Sequence, residues 1–283
     1  MKSETDLLQR LAKGAEGYSA NQRVLAKYVQ SHYQTVAFST VSQLAELSGV
    51  SEATVVRFAK ALGFKGYPDL QKEVRRLVRA DLKGTERFQL SQADASPLDL
   101  VLQKEMENLG ALREAFDASA FRQALKLLRG ASEVLVVGAR ATAPLAGHLA
   151  FGLGKLGIRC SRAFSVTSDT YDQIHRLDRK ACVVVIGFPR YLRELVEVLD
   201  FAKAAKLATV AVTDSAFSPL RADVSLYAPA ESASFVAFHA APLVLINALL
   251  HELSLGNRDA TLTALDRFEA VAEQRKFFQK GYA

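Results

Sequence analysis

Two sets of side chains in this sequence have types and spacings suited to binding chemistry. The first is Ala53, Val56, Arg57 and Lys60, which at about 100° per residue share one side of a helix. A guanidinium at position 57 can reach a guanine edge or a phosphate, and Ala53 and Val56 can meet a thymine methyl. Ser51 and Thr54 can meet a phosphate or a base, Glu52 occupies the first turn, and Lys65 and Tyr67 follow where a nucleic-acid backbone would run. The second set is Arg140 and Arg190, each the first charged group beyond an apolar strand-like run. A guanidinium in such a place can grip a phosphate or carboxylate bidentately, with Thr142, Ser165 and Thr167 supplying hydroxyls and Tyr191 and Glu231 in the neighbouring loops.

The elements that position the first set are short. Val41, Leu44 and Ala45 recur at helical spacing, and Gly49 stops that helix where a positive φ is needed. Ser51 then caps a second helix, which Leu62-Gly63 ends after about three turns, with Val55, Phe58, Ala59 and Leu62 on its apolar side. Two helices joined by a tight turn, the second presenting small and basic groups, make a helix-turn-helix whose second helix fits a major groove. An ordinary helical hairpin is the alternative. Ser19-Ala20-Asn21-Gln22 reads as a capping box opening a helix through Val24, Leu25, Tyr28 and Val29, preceded by a short amphipathic start, Leu7 to Ala15. Tyr67-Pro68-Asp69 opens another, Leu70 to Leu82, whose Lys72, Arg75, Arg76 and Arg79 either lie along DNA or form a solvated face.

The stretch V-S-E-A-T-V-V-R-F-A-K-A-L-G-F-K-G-Y, Val50 to Tyr67, closely resembles the DNA-reading segment of the RpiR/MurR class of bacterial transcriptional regulators. The resemblance continues across nearly the whole chain. It implies an all-α N-terminal helix-turn-helix domain and an α/β C-terminal SIS (sugar isomerase) domain that senses a ligand, often a sugar phosphate. Where family members carry a Ser-x-Ser-Gly-x-Thr-like run after the third strand, this chain reads G-F-P-R-Y-L-R-E, and its first loop holds Ala139 and Arg140. The small hydroxyls that wrap a phosphate are missing and two long cations are present, so a sugar acid or other carboxylate is as suitable an effector as a sugar phosphate.

Periodicity independently calls for that second domain. From Glu133, β-branched apolar runs alternate with helices: strands at 134–137, 158–163, 182–188, 208–213 and 224–228, helices at 143–156, 168–177 and 192–206. Runs apolar on both faces with crossover helices mean a five-stranded parallel sheet flanked by helices, closed by helices at 235–253 and 261–278. A ligand in such a sheet belongs outside the carboxyl ends of the strands, which selects the loops holding Arg140, Thr142, Ser165, Thr167, Arg190, Tyr191 and Glu231. Either arginine can instead serve a structural salt bridge. The helix-turn-helix domain is expected over 1–82 and a linker over 83–97. The sensing domain follows over 98–283, its leading helix carrying Leu98, Val101, Leu102, Met106, Leu109 and Leu112 on one side to join domains or pack between subunits.

Charge and composition narrow the function. The first 83 residues hold 13 Lys and Arg against 8 Asp and Glu, a net +5 of the overall +6, as counterion release onto a phosphate backbone requires. No apolar run reaches the ~18 residues that cross a bilayer, so a soluble cytoplasmic protein with no membrane partner is expected. Cys160 and Cys182 lack a partnering motif and the five histidines are scattered, so no metal and no cofactor is expected. The partners implied are a double-stranded DNA operator, a small anionic effector and a second copy of the chain, in a homodimer or homotetramer. An aldose-ketose isomerase is the competing function. Its proton transfer needs a positioned base, for which Glu231, His239 and His251 are available, His251 being read as a structural histidine deep in an apolar helix. A DNA-architectural protein without a ligand is the third class.

Overall fold

The computed structural model describes residues 11, 18–81, 96–232, 234, 239–256 and 258–279. The expected amphipathic start at 7–15, apart from Leu11, and most of the linker at 83–97 lie outside the described residues, as do the side chains of Arg76 and Arg79. The chain falls into two compact units.

Among the described residues the first unit holds five helices: α1 Ala20–Ser31, α2 Tyr33–Val36, α3 Val41–Ser48, α4 Glu52–Ala61 and α5 Tyr67–Asp81. Capping chemistry sets their starts. The Ser19 and Thr40 side chains each accept the backbone N–H three residues on, and Gln22 and Gln43 reach back to the cap backbone, so α1 and α3 both open on capping boxes. Gly49 ends α3 at φ 68°, in the left-handed region, and the Val50 N–H closes back onto the Ala45 carbonyl at 2.9 Å. The unit closes around Leu25, Val29, Leu44, Val55, Phe58, Leu70 and Val74, all fully buried, with Tyr18 edge-on to Phe58 at 5.5 Å. The short helix α2 was not anticipated; Tyr33, Gln34, Thr35 and Val36 carry too little periodicity to announce it.

The second unit opens with α6 Pro97–Glu114 and α7 Ala118–Gly130 and then builds a sheet. Its elements are β1 Val134–Val137, α8 Ala143–Lys155, β2 Cys160–Ala163, α9 Ser168–Arg176, β3 Cys182–Ile186, α10 Arg193–Ala204, β4 Ala208–Thr213, β5 Val224–Tyr227, α11 Ala240–Gly256 and α12 Arg258–Arg275. The five strands lie in the order β2-β1-β3-β4-β5 and every pairing is parallel. Val134, Val136, Val184, Val210 and Val212 point to one face with Phe121 of α7, Leu149 of α8 and Ile246 of α11. Leu135, Val137, Val183, Val185 and Ala211 point to the other, against Ile174 of α9 and Val198 and Leu199 of α10. Sheet residues buried on both faces explain why the strands read as continuous apolar runs.

Three strands are shorter than their apolar runs suggest, because Ile158, Phe188 and Ala228 continue the apolar pattern beyond the ladder. The leading helix α6 buries only the end of its apolar side within this unit. Leu112 is buried and Leu109 partly so, but Leu98 (66% exposed), Leu102 (50%) and Met106 (70%) are not covered by the sheet unit.

Candidate functional site

The exposed side of α4 carries Ser51 at its cap, Glu52, Ala53, Val56, Arg57 and Lys60. The opposite side, Val55, Phe58 and Ala59, is fully buried, so the helix is fixed to its unit by one stripe and offers the other. Arg57 and Lys60 therefore project from the surface as the spacing required, and Lys65 is exposed beyond the end of the helix. Glu52 is exposed too, but its carboxylate accepts the Ser42 hydroxyl at 2.5 Å and so links the first turns of α3 and α4.

Two residues expected against a duplex, Tyr67 and Thr54, are placed elsewhere. Tyr67 is buried at 4% exposure; its hydroxyl donates to the Ser39 carbonyl at 2.7 Å and lies 3.3 Å from that of Val36. Burial pushes its pKa up to about 12, against the opposing charge of Arg75. Thr54 is buried, with its hydroxyl 2.9 Å from Ser51 Oγ and accepting from Arg57 Nη2 at 3.3 Å. Arg75 donates through Nε to the Ala37 carbonyl at 2.6 Å, beside Gln71 Nε2 donating to that of Ser39 at 2.6 Å. Tyr67, Gln71 and Arg75 thus satisfy the carbonyls of the bend between α2 and α3 and tie α5 to that bend. Lys72 remains exposed.

In the second unit the strand order reverses between β1 and β3, the switch point where loops at the carboxyl ends part and leave a crevice. Arg140 follows β1 and Arg190 follows β3, and both are exposed. Both also adopt positive φ, 55° and 66°, a conformation that costs a side-chain-bearing residue roughly 1–2 kcal/mol. Such strain persists where the surroundings impose it, and it flanks the switch point on both sides. Gly138 leads into the first of these turns. A Cβ there would come within 2.8 Å of the Ala146 side chain and 2.9 Å of the Thr142 carbonyl oxygen, so only glycine permits the loop to pass.

The remaining loop residues divide. Ser165 and Thr167 are exposed after β2, in a turn closed by the Thr170 hydroxyl, which donates to the Ser165 carbonyl at 3.0 Å and accepts the Thr167 N–H at 3.2 Å. Thr142 does not offer its hydroxyl to a ligand: it is buried and bonded to the Ile186 carbonyl at 2.9 Å, tying the first loop to the end of β3. Tyr191 directs its hydroxyl to Asp214, a carboxylate at 9% exposure that also accepts from Thr213 Oγ1 at 3.3 Å. The Glu231 carboxylate lies 3.0 Å from Lys104 Nζ, and Asn108 exchanges two hydrogen bonds with the Glu231 backbone, at 2.9 and 3.2 Å. Glu105, one turn before Asn108 on α6, accepts the Ala240 N–H at 3.0 Å. Burial works against the charge of Lys104, but Glu107 and Glu231 outweigh it and hold its pKa above the usual lysine range.

The contacts of Lys104 and Asn108 with Glu231, and of Glu105 with Ala240, are what sequence reasoning missed. The signal was faint: a polar Lys-x-x-x-Asn step leading one turn later to Leu112, on a helix whose apolar pattern pointed another way. Of the possible bases, Glu231 is ion-paired and His239 is half-buried against Phe188 at 5.7 Å between ring centroids, its pKa lowered by burial in spite of Glu105. His251, expected inside the helical core, is exposed on α11. Burial raises Cys160 to about 11, with Glu133 adding to it, and Cys182 to about 12, with Asp223 adding to it, so both stay thiols. Among the described residues no group of three or more His, Cys, Asp and Glu is placed to hold a metal, and no helix is long and apolar enough to cross a membrane.

Comparison with known proteins adds to this geometry. Residues 5–78 match the helix-turn-helix domain of the rpiR family, and residues 127–252 match the SIS domain. The chain is 21% identical over 276 residues to an uncharacterised helix-turn-helix transcriptional regulator of Caldanaerobacter subterraneus, covering 96% of this chain and 92% of the relative. It is 25% identical over 271 residues to the uncharacterised regulator YbbH of Bacillus subtilis, with 90% and 93% covered. Among solved structures, the sugar isomerase domain of an RpiR transcription factor from Sphaerobacter thermophilus superposes with a TM-score of 0.59 at 27% identity, covering 62% of this chain and 98% of that one. NanR of Vibrio vulnificus, solved in complex with ManNAc-6P, shares the fold with a TM-score of 0.60 at 20% identity, covering 95% and 98%.

Proposed function

This chain belongs to the rpiR helix-turn-helix family and carries a SIS domain behind that module, and from that premise we propose that it is a ligand-responsive transcriptional regulator. The observation that carries the proposal is the outward side of α4, where Ala53, Val56, Arg57 and Lys60 stand clear of the core while Val55 and Phe58 anchor the helix from behind. In a major groove, Arg57 reads a guanine edge, Val56 and Ala53 meet thymine methyls, and Lys60, Lys65 and Ser51 face the phosphates. The expected division into a reading domain at 1–82, a linker at 83–97 and a sensing domain at 98–283 is part of this proposal.

One short helix gives too little readout for a specific site, so the working form holds at least two copies on paired half-sites. The uncovered Leu98, Val101, Leu102 and Met106 of α6 offer an apolar strip for that assembly. The effector is a small anion received at the crevice between β1 and β3, gripped by Arg140 and Arg190 with the hydroxyls of Ser165 and Thr167 beside them. The phosphosugar bound by NanR is one candidate class, sugar acids and other carboxylates another. An effector that prefers one arrangement of the sensing domains shifts the spacing of the reading helices and so the affinity for a two-half-site operator.

The isomerase reading is less well supported, because the Glu231 carboxylate is held by Lys104 at 3.0 Å instead of being presented to a substrate as a positioned base. The deciding experiment is a thermal-shift screen of phosphorylated sugars, sugar acids and small carboxylates, followed by DNA binding and turnover assays with each hit. A regulator shows a hit that changes DNA affinity without being converted. Conversion of a phosphosugar with no effect on DNA would reverse the assignment.

A further inference from the structure

Thr54 sits under the reading side of α4, and its hydroxyl touches two side chains that reach the surface. Ser51 Oγ lies at 2.9 Å and Arg57 Nη2 at 3.3 Å. The direction of each bond follows from proton counting. A guanidinium only donates, so Thr54 Oγ1 accepts on the Arg57 side. The hydroxyl has one proton of its own and Thr54 is only 6% exposed, which leaves Ser51 Oγ to receive it. Ser51 Oγ also takes the Thr54 backbone N–H at 3.3 Å. With its accepting capacity used twice from the same residue, the exposed Ser51 has its own O–H directed away from the helix.

We infer that Thr54 is a positioning residue, which contacts no DNA but presets the two groups that do: it holds the Arg57 guanidinium in one orientation and turns the Ser51 hydroxyl outward as a donor. This rests on the DNA-reading function proposed above and deepens it. An unbraced arginine on an exposed helix samples many rotamers and loses that freedom on binding; one already held from below loses less. A donor that points outward suits phosphate oxygens, which only accept, and so sets register while Arg57 reads the base. The chain Ser51–Thr54–Arg57 runs at spacings of three along a single helix face, so any small twist of α4 moves both contacts together.

The test uses the full-length chain and a duplex enriched by repeated selection from a random pool. Thr54→Val keeps the shape at the buried position and removes the hydroxyl, and Thr54→Ser restores it. We expect Thr54→Val to weaken the selected duplex roughly 2- to 12-fold per half-site, the range set by fixing one rotamer-rich side chain. Affinity for a random duplex should fall by less than that for the selected one, because the cation remains and only the Ser51 contact is disturbed, and Thr54→Ser should bind as the wild type does. Added to Arg57→Ala, the valine change should cost less than it does alone, since only the share that runs through Ser51 remains. An undiminished affinity in Thr54→Val, or an equal loss in the Arg57→Ala background, overturns the positioning role. If Arg57→Ala itself leaves the selected duplex tightly bound, the DNA-reading assignment of α4 falls and this inference with it. Should Thr54→Val fail to fold, nitrogen relaxation of the Arg57 side chain in the free wild-type protein decides: an ordered guanidinium supports the brace, and motion equal to that of other surface arginines refutes it.

Discussion

Replacing Tyr67 by Phe removes a single oxygen from a buried position, and its consequences separate a scaffold from a DNA contact. The hydroxyl donates to the Ser39 carbonyl at 2.7 Å, with that of Val36 at 3.3 Å. Neither carbonyl is orphaned by the change, since Ser39 still receives Gln71 Nε2 at 2.6 Å and Val36 still receives the Ser39 N–H at 3.3 Å. The loss is therefore that of one ordinary buried hydrogen bond, about 1 kcal/mol at neutral pH. A second effect appears in alkali. Burial raises the Tyr67 pKa to about 12. The unfolded chain, ionising near 10, gives up its proton first, so the contribution is complete below about pH 10 and is lost as pH climbs to 12. Two pKa units correspond to about 2–3 kcal/mol. Phenylalanine has no such proton, so the variant should lack this alkaline loss. Native-state hydrogen exchange across α1 to α5 in the full chain, compared at neutral pH and at about pH 11, measures both quantities in the relevant unit. A variant with unchanged exchange at neutral pH but weakened DNA binding would refute the reasoning and return Tyr67 to the surface.

Further substitutions test other parts of the account. Arg140→Gly and Arg190→Gly relieve a left-handed backbone and should each stabilise the sheet unit by roughly 0.5–1 kcal/mol while abolishing the effector response. Thermal unfolding with and without effector checks both halves, and a destabilised variant would show that the arginines support the fold. Asn108→Ala removes two hydrogen bonds to the Glu231 backbone and should cost about 1–3 kcal/mol, read as faster exchange in α6. Gly49→Ala meets open space but must hold φ near 68°, so a loss of about 1 kcal/mol in α3 and α4 is expected from the backbone alone.

The parts of this structure that were legible in the sequence are those decided by near neighbours. Ser19 and Gln22 settle a helix start within four residues, Gly49 settles a helix end by its own φ, and the paired-face apolar runs around Val136 and Val184 leave a parallel sheet as the economical solution. The outward side of α4 was legible for the same reason. What escaped were side chains whose roles depend on distant partners. Tyr67 and Arg75 look like surface groups until their positions are brought against carbonyls 28 to 38 residues earlier, on a bend that the unanticipated α2 creates. Asn108 meets Glu231 across 123 positions, which no helical spacing foretells. Thr142 shows the limit for the effector loops: the residue type was right for binding an anion, but the buried Ile186 carbonyl at the end of β3 takes the hydroxyl first.

The central claim is that the Ala53–Val56–Arg57–Lys60 side of α4 reads a duplex, and binding isotherms at several salt concentrations test it most directly. Wild-type protein should bind a selected duplex with log affinity falling linearly against log salt, by about 0.9 for each phosphate neutralised. Arg57→Ala should lose about 1–3 kcal/mol for each half-site read, approaching the affinity for random DNA. Equal isotherms for the two proteins across that salt range would contradict the account.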